Sequence, residues 1–441
     1  MTLFTRVFSV LSFGTLQVIF SKLISFINFA ILVRLLTHEE IGIIGLAGGY
    51  MALLGFLMVL PENVFIRDFK KMQGRLNEYI SSFFFFGVMR SLVLFVVAGG
   101  MALHLSSLQS DPRLTLYFLL LVGTTLLNSL VGPFREAFYG AYRQARITFV
   151  DVISNLLLLT LIGLLYFQRD VIVYGWLQLG VAMLGLVWWI WNAHRHLHFS
   201  FFPPTFQLAI DSLRNFSIWN HLAGSVIRLV YQIDIVILGF FVGLGVVGDY
   251  AVALTLANVF FVFPQMIQKV LSLSLSSVED KRTLENMLGI AVRYNTLFSV
   301  AQWGAFLIMG PWLISLLGPE SPAQIWTYSI YLVSGVTLFN IARPWSSLAV
   351  SKIPPKDFFF KLFFLPSMVA VPIYWYAAAQ LGALGVAKAN LVTFFILGGW
   401  LIIYMHIHLK LIPRIFYFSP HEKHFLGKIQ HVFHSRGMGK R

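Results

Sequence analysis

The sequence predicts an all-α, polytopic membrane protein of about twelve transmembrane helices in two pseudo-symmetric six-helix lobes. Three observations carry that prediction. The 441 residues are 58% apolar and only 11% charged, with a mean hydropathy of +0.78, which leaves too little polar surface to cover a soluble globule of this length. The apolar residues fall in uninterrupted runs of about 20, the length of a bilayer-crossing helix, and do not show the alternating pattern of a β-barrel. Finally, shifting the first half by 206 positions lays Lys22 on Arg228, Ile27 on Ile233, Asn28 on Asp234, Ile31 on Ile237, Leu32 on Leu238, Gly42 on Gly248 and Ala47 on Ala253, as two copies of one bundle would.

Polar and Gly/Pro breaks place spans at about 11 to 33, 41 to 60, 79 to 103, 115 to 134, 150 to 167 and 171 to 192 in the first half. The second half gives about 217 to 241, 248 to 268, 288 to 309, 326 to 342, 358 to 379 and 384 to 408. The first run has the full length of a span and leads into a second, so no cleavable signal is expected. The connection 193–216, with Pro203 and Pro204, separates the two halves. The resulting division is an N-terminal lobe 1–192, a linker 193–216, a C-terminal lobe 217–408 and a basic tail 409–441. The tail alternates aromatic residues with Lys, Arg and His, and reads as a membrane-surface segment.

Twelve spans put both termini on one side, and the basic residues choose that side as cytoplasmic. Arg67, Lys70, Lys71 and Arg75 follow span 2; Arg135, Arg143 and Arg146 follow span 4; Arg195 and Arg214 follow span 6. Lys269, Lys281 and Arg282 follow span 8, and Arg343, Lys352, Lys356 and Lys361 surround the connection after span 10. Only Arg34, Arg113 and Arg169 lie in loops on the other side. The net charge of +14 thus reflects topology and attraction to anionic lipid head groups, not nucleic-acid binding. The absence of cysteine excludes disulfides, thiol redox chemistry and thiolate metal sites.

Five cations fall inside spans: Lys22, Arg90, Arg228, Arg293 and Lys388. A charge at a helix centre costs roughly 2.5 to 3.5 kcal/mol on insertion scales. Lys22, Arg90 and Arg228 sit near the bilayer midplane, where snorkelling is difficult, whereas Arg293 and Lys388 are nearer span ends, where snorkelling accounts for them. Against these the spans offer one deep acid, Asp234, with Asp151 near the mouth of span 5. The cations cannot all be neutralised by protein carboxylates, so Lys22, Arg90 and Arg228 are candidate ligands for an anion in a central cavity. Asn28, Asp151, Arg293 and Lys388 are secondary cavity candidates. Asp234 either couples an ion, H+ or Na+, to transport, or partners a cation structurally. No cofactor and no metal is expected: His194, His196 and His198 alternate at the membrane edge without a carboxylate beside them and read as a polar cluster. Gln17, Asn128, Asn155, Gln178, Gln232, Asn295 and Asn390 read by default as interhelical bonding groups, and the aromatic excess reads as lipid contact and interfacial belt, not sugar stacking.

Four turn motifs stand out: the hairpin Leu35, Leu36, Thr37, His38, Glu39, Glu40, Ile41, Gly42; the stretch Asp234 to Leu256 with Gly239, Gly248, Tyr250 and Ala253; Leu317, Gly318, Pro319, Glu320; and Leu384 through Asn390. Together they resemble the polysaccharide-type, Wzx-like flippases of the multidrug/oligosaccharidyl-lipid/polysaccharide (MOP) exporter superfamily. The resemblance implies a V-shaped, two-lobed, MATE-like bundle with a central cavity opening alternately to each side. It implies a flippase that moves an undecaprenyl-diphosphate-linked oligosaccharide, an O-antigen or exopolysaccharide repeat unit, across the bacterial inner membrane. A polysaccharide polymerase and a chain-length regulator would be its partners.

Three rival functions are weighed beside it. A MATE-type drug exporter should carry acids in the first half of its cavity, whereas span 1 carries Lys22 and no acid. A lipid II flippase usually has two further C-terminal spans. A membrane glycosyltransferase or polymerase needs catalytic groups on an outer loop, but the outer loops are short and their acids scattered. No nucleotide-binding glycine loop is found, so an ion or the substrate gradient would drive transport.

Overall fold

The computed structural model describes residues 20–415, apart from 142, 215–217 and 277. Residues 416–441 of the expected membrane-surface tail, the start of span 1 and Gln17 therefore lie outside the described residues. The chain runs as α1 (20–35), α2 (His38–Leu57), α3 (Phe65–Met72), α4 (Leu76–Leu108), α5 (Pro112–Gly140), α6 (Gln144–Ile162), α7 (Val171–Leu197), α8 (Phe206–Ser212) and α9 (Ile218–Val230). There follow α10 (Ile233–Leu238), α11 (Leu244–Val259), α12 (Val262–Ser276), α13 (Lys281–Leu317), α14 (Pro322–Lys352), α15 (Pro355–Asp357), a π-helical stretch Phe358–Phe364 and α16 (Leu365–Leu409). No strand occurs among the described residues.

Nine of these stretches are long and apolar enough to cross a membrane. The last of them, Pro355–Leu409, is two crossings. At Gly382 the backbone adopts φ 57° and ψ −142°, a conformation open to glycine at little cost. Trp400 Nε1 donates to Lys361 O at 2.7 Å, although 39 residues along a straight helix would separate them by about 58 Å. With α1 and the pair α9–α10, the crossings number twelve, as the sequence predicts.

Helix starts follow from local chemistry. Thr37 and Glu40 form a capping box at α2, and Asp111, Asp170 and Asp280 accept backbone N–H groups at the starts of α5, α7 and α13. Each satisfies donors that the first turn leaves free. Residues in the left-handed conformation end three helices: His198 after α7, Gly318 after α13 and Lys410 after α16. His194 Nδ1 lies 3.0 Å from Phe199 O in the same turn, so the histidine cluster closes the end of α7, and no group of metal-ligating residues occurs among the described residues.

The repeat is visible in the packing. Helix α5 is the hub of the first lobe, against α4, α7 and α2; α14 is the hub of the second, against α16, α13, α12 and α11. The lobes meet through α2 and α11. A Cβ on Gly42 would lie 2.0 Å from Leu244 O, and a Cβ on Gly248 would lie 2.0 Å from His38 O. Because 38 and 244 are themselves 206 apart, these are the same contact seen from both sides of a pseudo-twofold axis. Small residues let two backbones cross this closely where water exclusion cannot drive helix association. One side of the crossing continues through Gly45 against Ala251 and Gly49 against Ile235 and Val236.

Two boundaries correct the sequence reading. Span 7 is not one helix: it breaks at Tyr231–Gln232, between α9 and α10. Span 10 does not end at 342: α14 continues to Lys352, so Arg343 is not a loop cation but lies inside the bundle with 4% of its surface exposed. Pro344 and the Arg/Ser-rich stretch lower the local hydropathy and mimic a loop. Neighbouring polar side chains on α12 and α14 make the helix possible there.

Candidate functional site

Beyond the α2–α11 crossing the lobes part and enclose a cavity of about 520 Å³, within the range of small-ligand sites. Lys22 from α1 and Arg228 from α9 both line it. Lys22 has no partner among the described residues, and Arg228 has only a long bond from Nε to Gly224 O, 3.4 Å. Both side chains are exposed to the cavity space. The rest of the wall is polar and aromatic on the C-terminal side, with His221, Ser225, Tyr231, Gln232, Asn258, Phe261 and Gln265, and mainly small or apolar on the N-terminal side. No carboxylate lines the cavity among the described residues. The repeat-related cations are thus brought together without a protein counter-ion, an arrangement suited to an anion.

The wall is built at helix breaks. Tyr231 and Gln232 occupy the break between α9 and α10, and Phe261 lies at the break between α11 and α12. The two breaks meet where Tyr231 stacks on Phe261, with ring centroids 4.6 Å apart and planes 28° apart. Irregular backbone at membrane depth is tolerated where protein or a cavity satisfies its polar groups, and Asn340 Nδ2 donates to Phe260 O at 2.9 Å. On the N-terminal side, α2 ends at Leu57, and Met58 and Leu60 reach the cavity.

Arg90, expected beside Lys22 and Arg228, does not line the cavity. Its Nη1 donates to Val59 O at 2.5 Å and its Nη2 to Ser129 Oγ at 3.1 Å, and its charge is opposed by Glu62. Glu62 is only 2% exposed, lies against Gly132, and has one oxygen without a hydrogen-bond partner. Asp234 is therefore not the one deep acid; sequence reading missed Glu62 because it follows the apolar run of span 2 and looks like a loop residue.

Asp234 is fully buried on α10 and does not line the cavity. It accepts from Tyr250 Oη at 2.6 Å, Asn390 Nδ2 at 3.0 Å and Ile235 N at 2.8 Å. Tyr374 stands in the same cluster, next to Thr393 and Asn390. No cation faces Asp234 among its hydrogen-bond partners, so the structural pairing weighed from sequence is not what holds it. Asn28, its repeat mate, is buried with Oδ1 unpartnered.

The secondary candidates lie elsewhere. Asp151 pairs with Arg135 at 2.6 Å. Arg293 donates to Ile415 O at 2.9 Å and stands over the Tyr294 ring, and Lys388 stands 5.6 Å from the Tyr331 ring. At the closed end, His38 Nδ1 is 2.5 Å from Asp249 Oδ1, Glu320 N donates to His38 Nε2 at 2.8 Å, and Arg34 donates to Leu316 O. These contacts clasp the α1–α2 turn to the second lobe. In the loop there, the Arg113 guanidinium holds the Asp111 carboxyl below its ordinary range.

Residues 31–320, about two thirds of the chain, match a family described as "Polysaccharide biosynthesis protein". No curated protein sequence matches the chain. Among solved structures, an inward-facing MATE-family multidrug resistance transporter of the MOP superfamily is similar at TM-score 0.71 and 13% identity, covering 88% of this chain and 94% of that one. The lipid II flippase MurJ in an inward closed conformation is similar at TM-score 0.71 and 13% identity, covering 91% and 88%. A MOP superfamily transporter from Pyrococcus furiosus gives TM-score 0.62 at 13% identity, covering 91% and 95%. The matching family sequence over residues 31–320 leads to one conclusion, with which the two six-helix lobes, repeat-related crossing and central cavity agree: the chain belongs to the polysaccharide biosynthesis protein family.

Proposed function

We propose that this protein is a flippase that carries an undecaprenyl-diphosphate-linked oligosaccharide, an O-antigen or exopolysaccharide repeat unit, from the cytoplasmic to the periplasmic leaflet of a bacterial inner membrane. The observation that carries the reading is that Lys22 and Arg228, related by the internal repeat, face one cavity that no carboxylate lines among the described residues. A diphosphate supplies the missing counter-charge, and cations from opposite lobes let one anion hold the lobes together in one state and release them in another. A cationic drug would find no acid in this wall.

In this reading lobes 1–192 and 217–408 rock about the linker 193–216, and both termini are cytoplasmic. The lipid tail stays in the bilayer, while sugars occupy the cavity. Asp234, in a buried pocket of neutral hydrogen-bonding groups, is the coupling site for H+ or Na+. A polymerase and a chain-length regulator would receive the product.

The test is complementation of a strain lacking the flippase. Lys22→Gln and Arg228→Gln should each leave lipid-linked oligosaccharide on the cytoplasmic leaflet despite normal protein levels, while Lys22→Arg and Arg228→Lys keep partial export. Parental surface polysaccharide from both Gln variants would overturn the anion site.

A further inference from the structure

Arg343 does not line the cavity, but one of its three hydrogen-bond partners, Tyr231, does. Its Nε donates to Asn340 Oδ1 at 2.6 Å, its Nη1 to Gln268 Oε1 at 2.8 Å and its Nη2 to Tyr231 Oη at 3.2 Å. The guanidinium also lies 4.8 Å from the Phe261 ring centroid and 5.5 Å from that of Phe339. None of these partners is a carboxylate. The acceptors are fixed in orientation: Gln268 Nε2 is committed to Ser346 Oγ at 3.0 Å, and Asn340 Nδ2 to Phe260 O at 2.9 Å. Each amide therefore turns its oxygen toward Arg343. The pocket is organised for a cation, yet no carboxylate among the described residues bonds to it.

Arginine has five N–H donors and no acceptor, so in the bond to Tyr231 the phenol oxygen accepts. The Tyr231 proton is left for some other acceptor, and none takes it among the described residues. Tyr231 lines the cavity that holds Lys22 and Arg228. A hydroxyl polarised by a cation on its oxygen is a stronger donor through its proton.

We propose that Arg343 and Tyr231 are a third anion-recognition element of this site, in which Tyr231 donates its hydroxyl to a phosphate oxygen of the ligand and Arg343 charges that bond from behind. Tyr231 touches the ligand; Arg343 is a positioning residue. The inference rests on the reading that the ligand is a diphosphate. It gives the break between α9 and α10 a purpose, because the irregular backbone at Tyr231–Gln232 places Tyr231 in the cavity wall with its ring stacked on Phe261.

The experiment uses the full-length protein in nanodiscs, titrated with undecaprenyl diphosphate and, as the uncharged counterpart, undecaprenol. Tyr231→Phe keeps the ring and should weaken diphosphate affinity about tenfold or more, the effect of one charge-assisted donor, with undecaprenol affinity and Tm unchanged. Arg343→Gln should weaken it similarly, and the double variant should lose no more than the worse single one, since the two act as one unit. Should Arg343→Gln fail to fold, Tyr231→Phe alone decides. If Lys22→Gln weakens diphosphate binding and Tyr231→Phe does not, the relay is overturned while the anion site stands. If neither weakens it, the diphosphate reading itself has failed and takes the relay with it.

Discussion

The two halves of the molecule are built from one plan, and each places a buried arginine beside an interrupted span next to the cavity. In the first half α2 stops at Leu57 and Arg90 holds the freed Val59 carbonyl. In the second, α11 stops at Val259, and Asn340 and Arg343 hold the break. The difference lies in the counter-charge. Arg90 is tied to Val59 O and Ser129 Oγ within its own lobe and has the buried acid Glu62 opposing its charge. Arg343 is held by neutral amides, a phenol and aromatic faces, so its field remains available to the cavity. A second difference follows: α1 runs unbroken through the positions equivalent to Tyr231 and Gln232, while span 7 breaks there. The second half supplies most of the polar groups that line the cavity, while the first contributes Lys22 and mainly small or apolar residues.

This contrast can be broken first at its symmetric point. Gly42→Val and Gly248→Val should each abolish folding, and Gly42→Ala and Gly248→Ala should lower the Tm by similar amounts, because every added Cβ meets a carbonyl oxygen of the other lobe. Thermal unfolding in detergent measures this, and strongly unequal alanine losses would argue against equivalent crossings.

Next in size is the N-terminal pair. Arg90→Gln should cost about 1 to 3 kcal/mol by leaving the Val59 carbonyl and Ser129 hydroxyl without their donor, and adding Glu62→Gln should recover part of that loss by removing the buried acid whose charge Arg90 opposes. The double variant sharpens the comparison, since it tests whether Arg90 serves Glu62 and Val59 and not the ligand. If it restores stability but exports nothing, Arg90 has a role at the cavity after all.

Asp234→Asn should leave the Tm near parental, since the site already consists of neutral hydrogen-bonding groups, while export driven by an imposed ion gradient falls to background. Equal export with and without Asp234 would reduce it to a packing residue. The smallest effect is expected at Asp151→Asn, which removes a partly exposed pair with Arg135, costs at most about 1 kcal/mol and leaves export unchanged. A transport defect there would draw span 5 into the site.

Legibility differs by position along these arguments. The twelve crossings and the repeat could be read from hydropathy and from the 206-residue offset, because bilayer thickness fixes helix length and small residues mark the crossing. Lys22 and Arg228 could be read as well, since a midspan cation is conspicuous in an apolar run. Tyr231 and Phe261 could not: an aromatic residue in a span has the same signature whether it meets lipid or lines a cavity, and only Pro264, three residues past Phe261, hints at the second break. Arg343 and Glu62 were misplaced because a charge near a span end looks like a loop.

By itself the sequence determined that this chain is an all-helical, duplicated membrane bundle with cations at the same depth in both first helices, since those properties follow from composition, period and offset. Tertiary structure decided which charges are neutralised and which are not. Arg90 meets Val59 and Ser129, Asp151 meets Arg135, Asp234 meets two neutral side chains, and Lys22 and Arg228 face the cavity with no carboxylate partner among the described residues. That outcome depends on distances between residues far apart in the chain, and electrostatic energy at membrane depth is set by those distances and by access to water, neither of which any local stretch of sequence encodes.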